Sequence, residues 1–131
     1  MLPAIFGFIT NDPWTIKQLI EPKALADIIN NPKSKKPIIL CIGFGGNIKG
    51  SKQLGPAGEQ EGLENLKKEL SSLKKDADIV IYCGCCPFEH CPNVRPAFNL
   101  LNTLKFTNHK LLNLTHNLKA DWTDKGYPVE K

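Results

Sequence analysis

The chain has 131 residues, 41% of them hydrophobic, with a formal net charge of +4 and five cysteines. That length suits one ordinary globular domain with its own core, and no apolar run approaches the ~20 residues of a membrane span. The charge is mild and its lysines fall in solvent-like stretches such as Pro32-Lys-Ser-Lys-Lys36. With no basic–aromatic stripe, this argues against nucleic acid as a partner and leaves a basic pocket for a small anion as its sharper use.

In chain order, the apolar start Met1 to Ile9 reads as a first strand or as the remnant of a trimmed leader; it is too short and lacks the basic flank of a complete leader. Glu21-Pro22 opens a helix with Leu25, Ile28 and Ile29 on one face, and Asn30-Asn-Pro32 ends it. Pro37 to Ile42 is an unalternating apolar strand stopped by Gly43-Phe-Gly-Gly46, and residues 43–58 are loop-like. No Gly-Lys-Ser/Thr follows in the register a phosphate loop needs. Glu59 to Leu73 is predicted helical from Leu63, Leu66, Leu70 and Leu73. Ile79 to Tyr82 is a second buried strand. A helix from about Asn93 carries Val94, Phe98, Leu101 and Leu104, with Pro96 in its first turn. Lys110 to Leu114 is a third strand, and Asn117 to Lys125 a last short helix closed by Gly126. Strands separated by helices predict a parallel sheet covered on both faces.

Four of the five cysteines, Cys83, Cys85, Cys86 and Cys91, follow directly on the Ile79–Tyr82 strand. The end of a buried strand is where open α/β sheets place their chemistry, and a following helix amino terminus stabilises thiolate, the reactive form of cysteine. Ringed backbone N–H groups can also hold the charge of a persulfide or oxyanion. An odd cysteine count rules out complete internal pairing, and the clustering argues against a disulfide scaffold spread across the fold. Three readings stay open: a reactive sulfur site, a metal site using Cys83, Cys85, Cys86, His90 and Cys91, and a Cys86–Cys91 disulfide stapling the loop. Cys41 reads as core. His90 is either a base for a thiol or simply solvated, and His109 and His116 default to the surface. Arg95 is either an anion ligand through its forked donors or a partner of Glu89. Trp122 and Tyr127 read as anchors of the last helix.

The order of these pieces resembles a single-domain rhodanese, a sulfurtransferase family. The resemblance is carried by Ile79-Val-Ile-Tyr82-Cys83, by Asn93-Val-Arg95-Pro-Ala97, and by Gly46-Asn-Ile-Lys-Gly50-Ser51. Leu100 to Asn108, Leu114, Ala120-Asp-Trp122 and the tail Gly126-Tyr-Pro-Val-Glu130 extend it from about Trp14 to the end. Two departures stand out. The family's Asp-Val-Arg brace after the earlier strand is replaced by Cys41-Ile42-Gly43, and the loop between Cys83 and Arg95 is much longer than the family's. Aligning on the strand end makes Cys83 the nucleophile; aligning on the helix start favours Cys91. Tyr-Cys at a strand end is the family's most regular feature, which favours Cys83.

The resemblance implies a rhodanese-like α/β fold over residues 1–131, with 1–13 as a peripheral extension, and a mainly parallel five-stranded sheet flanked by helices on both faces. It implies transfer of sulfane sulfur from thiosulfate or a persulfide donor, through a cysteine persulfide, to a thiol or cyanide. The expected site is Cys83, Cys91 and Arg95, with Cys85 and Cys86 as resolving or auxiliary thiols. No cofactor is expected; the partners are a small anionic sulfur donor and a thiol acceptor, with no nucleic acid and no membrane. The compartment, cytoplasmic or periplasmic, stays open. The alternatives are a thiol–disulfide redox protein, a metal-binding module on Cys83 to Cys91, and an oxyanion-handling phosphatase or arsenate reductase; the last is disfavoured by the proline-interrupted loop.

Overall fold

A computed structural model describes residues 12–130; the expectations for Met1 to Ile9 lie outside them. The elements in chain order are β1 (Leu19–Ile20), α1 (Pro22–Asn30), β2 (Ile38–Cys41), β3 (Lys52–Gln53), α2 (Gln60–Leu70), β4 (Ile79–Tyr82), α3 (Val94–Thr103), β5 (His109–Leu112) and α4 (Leu118–Asp121). The five strands form one sheet in the order β1-β5-β4-β2-β3, and every neighbouring pair runs parallel. The fold is therefore the expected α/β architecture, with a fully rather than mainly parallel sheet. Among the described residues, no helix is long and apolar enough to cross a membrane.

Alternation along the central strands builds two cores. Leu40, Ile42, Ile79, Ile81, Cys83 and Leu111 face one side with Leu66, Leu70, Ala97, Phe98 and Leu101 of α2 and α3. Ile39, Cys41, Val80, Tyr82 and Leu112 face the other with Leu25 and Ala26 of α1 and Leu118 and Trp122 around α4. Burial on both faces explains why β2 and β4 read as unbroken apolar runs.

The differences from sequence expectation have local causes. The two-residue strands β1 and β3 lie at the sheet edges and carry too few residues for a periodic signal. The second helix stops at Leu70, where Leu73 N closes a turn onto the Leu70 carbonyl (3.1 Å). The last helix breaks at Trp122, whose backbone leaves the helical region, and a 3-10 turn over Thr123–Lys125 follows, ended by Gly126 at φ 78°. His109, expected at the surface, is buried; its Nε2 meets Asn102 Oδ1 at 2.7 Å, and desolvation lowers its pKa.

Topology places the site. From β2 the chain moves outward to β3, and from β4 it moves the opposite way to β5, so the connections diverge at the carboxyl ends of β2 and β4. That switch point is where open α/β sheets leave a crevice. Here the glycine run Gly43–Gly46 leaves β2 and the cysteine loop leaves β4.

Tyr82, at the end of β4, ties the β2–β3 connection beneath this crevice. Its hydroxyl accepts from Ile48 N (3.2 Å) and pairs with Ser51 Oγ at 2.8 Å. Tyr82→Phe leaves the buried Ile48 N–H unpaired and is expected to cost about 1–3 kcal/mol. Urea unfolding checks this as a lower midpoint with an unchanged slope.

Candidate active site

Cys83 directly follows β4 and is 3% exposed, with its side chain on the α2/α3 face of the sheet. Burial alone would raise its pKa, since it disfavours the charged form. Instead the pKa is lowered to about 4. The first cause is a hydrogen bond from the Cys91 thiol, which outweighs burial; backbone groups of Cys85 and Phe44 and the Asn93 amide add to it. Cys91 is buried, and its own pKa is pushed far up, first by its bond with Cys83 and then by burial. The pairing thus favours thiolate on Cys83 and thiol on Cys91.

Asn93 stands at the N-cap of α3 yet makes no capping bond with its side chain. The side chain is buried and spans the crevice: Oδ1 accepts from Gly58 N at 2.9 Å, and Nδ2 points to Cys83 Sγ at 3.7 Å. Accepting from Gly58 leaves only the donor end of the amide for the sulfur. Gly58 is itself constrained, because a Cβ there would lie 2.9 Å from Asn93 Oδ1.

Two more glycines let the loops meet. A Cβ on Gly43 would collide with Cys83 Sγ, and one on Gly84 would sit 2.5 Å from the Gly45 carbonyl. Gly84 N also donates to the Phe44 carbonyl at 2.9 Å, and Gly84 O accepts from Leu118 N at 3.0 Å. The Gly43–Gly46 run, set aside in the sequence as a poor phosphate loop, therefore forms the second wall of the thiol site. Asn93 was missed because an Asn before a helix reads as a cap.

Cys85 is exposed and Cys86 half-buried. Cys85 Sγ lies 3.5 Å from both Cys83 Sγ and Cys86 Sγ. Its pKa is pushed up to about 12, by desolvation and then by the neighbouring Cys83 and Cys86 sulfurs. All five cysteines are free, so the Cys86–Cys91 staple is not formed. Cys83, Cys85 and Cys86 Sγ all lie within 4.8 Å of one another, close enough for three ligands of one soft metal ion. His90 is exposed in the 3-10 turn Phe88–His90, and Cys41 is buried on the opposite face of the sheet.

Arg95 spends its donors on other partners. Its Nε donates to Asp12 Oδ1 at 3.0 Å and Nη1 to the Glu89 carbonyl at 2.8 Å, while the guanidinium lies 5.1 Å from the Trp14 ring centre. The expected Glu89 partner is thus its backbone, and the carboxylate comes from Asp12. A guanidinium with these donors committed serves as a clamp on the segment that opens α3, so the anion-holding role expected of Arg95 is not the one this geometry supports.

No protein-family model matches the chain, and no curated protein resembles it significantly. Solved structures of EanB do share its fold. A cysteine-to-serine variant with hercynine aligns at TM-score 0.60 and 20% identity, over 87% of this chain and 27% of that one. A threonine-to-valine variant with hercynine aligns at TM-score 0.61 and 20% identity, over 93% and 29%. A tyrosine-to-phenylalanine variant, with a cysteine persulfide in a tetrahedral intermediate state with ergothioneine, aligns at TM-score 0.56 and 22% identity, over 86% and 27%. The chain therefore spans less than a third of those proteins' length, and at this identity the likeness is one of fold.

With a pKa lowered to about 4, Cys83 is thiolate throughout the neutral range, and only acid removes its reactivity. Its alkylation by iodoacetamide is expected to stay flat across neutral pH and to fall only as the pH approaches that value, whereas Cys85 needs alkaline conditions. Asn93→Ala removes one donor to the thiolate and should move the acid midpoint up by about one pH unit. Peptide mass mapping of alkylated protein over a pH series checks both.

Proposed function

We propose that this chain is a rhodanese-type sulfurtransferase that carries sulfane sulfur as a persulfide on Cys83. The observation that carries this reading is the buried Cys83 sulfur, held as a thiolate at the switch point of the sheet by the Cys91 thiol, the Asn93 amide and loop backbone groups. A thiolate is the attacking species, and the donors that hold it can equally hold the terminal charge of a persulfide. Support also comes from the ordered rhodanese-like motifs and from the fold shared with EanB, one structure of which carries a cysteine persulfide.

With thiosulfate as donor, the Cys83 thiolate attacks the outer sulfur. The S–S bond of thiosulfate breaks, sulfite leaves with the electron pair, and Cys83 becomes a persulfide. Cyanide or a thiolate then takes the terminal sulfur, and the bonding pair returns to Cys83. Cys91 and Asn93 act as charge-stabilising donors and Arg95 as the clamp that positions the loop. Donor and acceptor are a small sulfane anion and a nucleophilic thiol.

A second reading follows from the grouping of three thiols within 4.8 Å: a soft-metal carrier using Cys83, Cys85 and Cys86. Elemental analysis of protein purified without chelator separates the two, since a carrier retains a stoichiometric thiophilic metal.

Incubation with thiosulfate is expected to add one sulfur to the intact protein, located on the Cys83 peptide and removed by cyanide. Cys83→Ser should abolish the addition, while Cys41→Ser should leave it. Mass spectrometry that finds no cyanide-labile sulfur after exposure to thiosulfate or a persulfide donor would sink the proposal.

A further inference from the structure

Persulfide chemistry on Cys83 leaves Cys85 without a task, and its position suggests one. Cys83 is 3% exposed while Cys85 is exposed, and their sulfurs are only 3.5 Å apart. The path from the crevice floor to solvent thus runs from one sulfur to the next. The facing loop meets this one at Phe44, whose carbonyl accepts from Gly84 N at 2.9 Å and which is 57% exposed. A small nucleophile such as cyanide can enter a crevice of this kind. A thiol borne by a folded protein would have to reach past the loop surface to attack an S–S bond on a residue only 3% exposed.

Building on the persulfide reading above, we propose that the sulfane sulfur loaded on Cys83 passes to Cys85, and that the acceptor is a thiol-bearing protein which collects it at the surface. In this step the Cys85 thiol gives its proton to solvent as its sulfur attacks the outer sulfur on Cys83. The S–S bond to Cys83 breaks and its electron pair returns to Cys83 as thiolate, while a new S–S bond forms on Cys85. One S–S bond is exchanged for another, so no oxidant or reductant is needed. The donors around Cys83 favour the step, because a stabilised thiolate is the better leaving group. An exposed Cys85 side chain has room to change between staggered rotamers and line up with the outer sulfur. Phe44, exposed on the facing loop, offers the acceptor protein an aromatic contact at the same carboxyl end of the sheet.

The test loads the intact protein with thiosulfate, quenches with an alkylating reagent and maps persulfides by peptide mass spectrometry; in parallel, transfer to cyanide is compared with transfer to reduced thioredoxin. The expected result is persulfide on both Cys83 and Cys85, with none on Cys85 in Cys83→Ser. In Cys85→Ser the ratio of the thioredoxin rate to the cyanide rate should fall at least about tenfold, as expected for loss of an intramolecular step. Persulfide confined to Cys83 together with an unchanged rate ratio in Cys85→Ser overturns the relay and leaves the persulfide reading intact. Loading of Cys85 in Cys83→Ser also overturns it. Failure of the unmodified protein to load any sulfur overturns the persulfide reading and the relay with it.

Discussion

A sulfur almost fully withdrawn from water, yet held as an anion, is the constraint on which the rest of the site depends. Desolvation works against a thiolate, so Cys83 can keep its charge only if polar hydrogens converge on it. They come from separate parts of the chain: Cys85 and Phe44 in the two strand-end loops, Cys91 before α3, and Asn93 at its start. Only a sheet in which β2 and β4 are neighbours with diverging connections brings those segments to one point. The glycines follow from the same demand. Residues 43 and 84 have to be glycine because the loops approach more closely than any Cβ permits.

The long cysteine loop needs support that a short one would not. Phe88 is buried in the core, and its N–H reaches the Leu114 carbonyl at 3.1 Å, so the middle of the loop is moored to the end of β5. Trp14 packs against Phe88 and Phe98, each with ring centres 5.8 Å away, and Arg95 lies over it while bonding Asp12 and the Glu89 carbonyl. This aromatic and ionic clamp joins the segment before β1, the 3-10 turn and α3. Its consequence is electrostatic: the guanidinium that could have met an anion is spent on structure. The negative charge at Cys83 falls instead to neutral donors.

The strands β2, β4 and β5 were legible in the sequence as apolar runs, and the helices α1, α2 and α3 as apolar stripes long enough to show a period. The edge pairs Leu19–Ile20 and Lys52–Gln53 were not, since two residues cannot display one, and their partners are set by tertiary register. At the site, clustering and strand-end position singled out Cys83 and its neighbours. What stayed hidden was every contribution that depends on apposition: Gly43 against Cys83, Gly58 against Asn93, and the choice of Asp12 over solvent by Arg95. A single chain read linearly presents Asn93 as a helix cap; only the crossing of the Gly58 loop makes its amide a thiolate donor.

The departure from a short thiol loop also bears on what the extra cysteines can do. A closed soft-metal site of four thiolates needs all four sulfurs deprotonated and their lone pairs free for the ion. Around Cys83 the lone pairs are already engaged by Cys91 and the Asn93 amide, and Cys85 and Cys91 are driven toward their protonated forms. One stabilised thiolate flanked by neutral thiols is an uneven set. It makes a poor cage, because the ligands differ in charge, and an uneven path, because the stable thiolate sits at buried Cys83 while Cys85, nearest solvent, resists ionisation. In the proposed transfer, sulfur is taken up where the stable thiolate sits, at the floor of the crevice, and Cys85 stands between that floor and the surface.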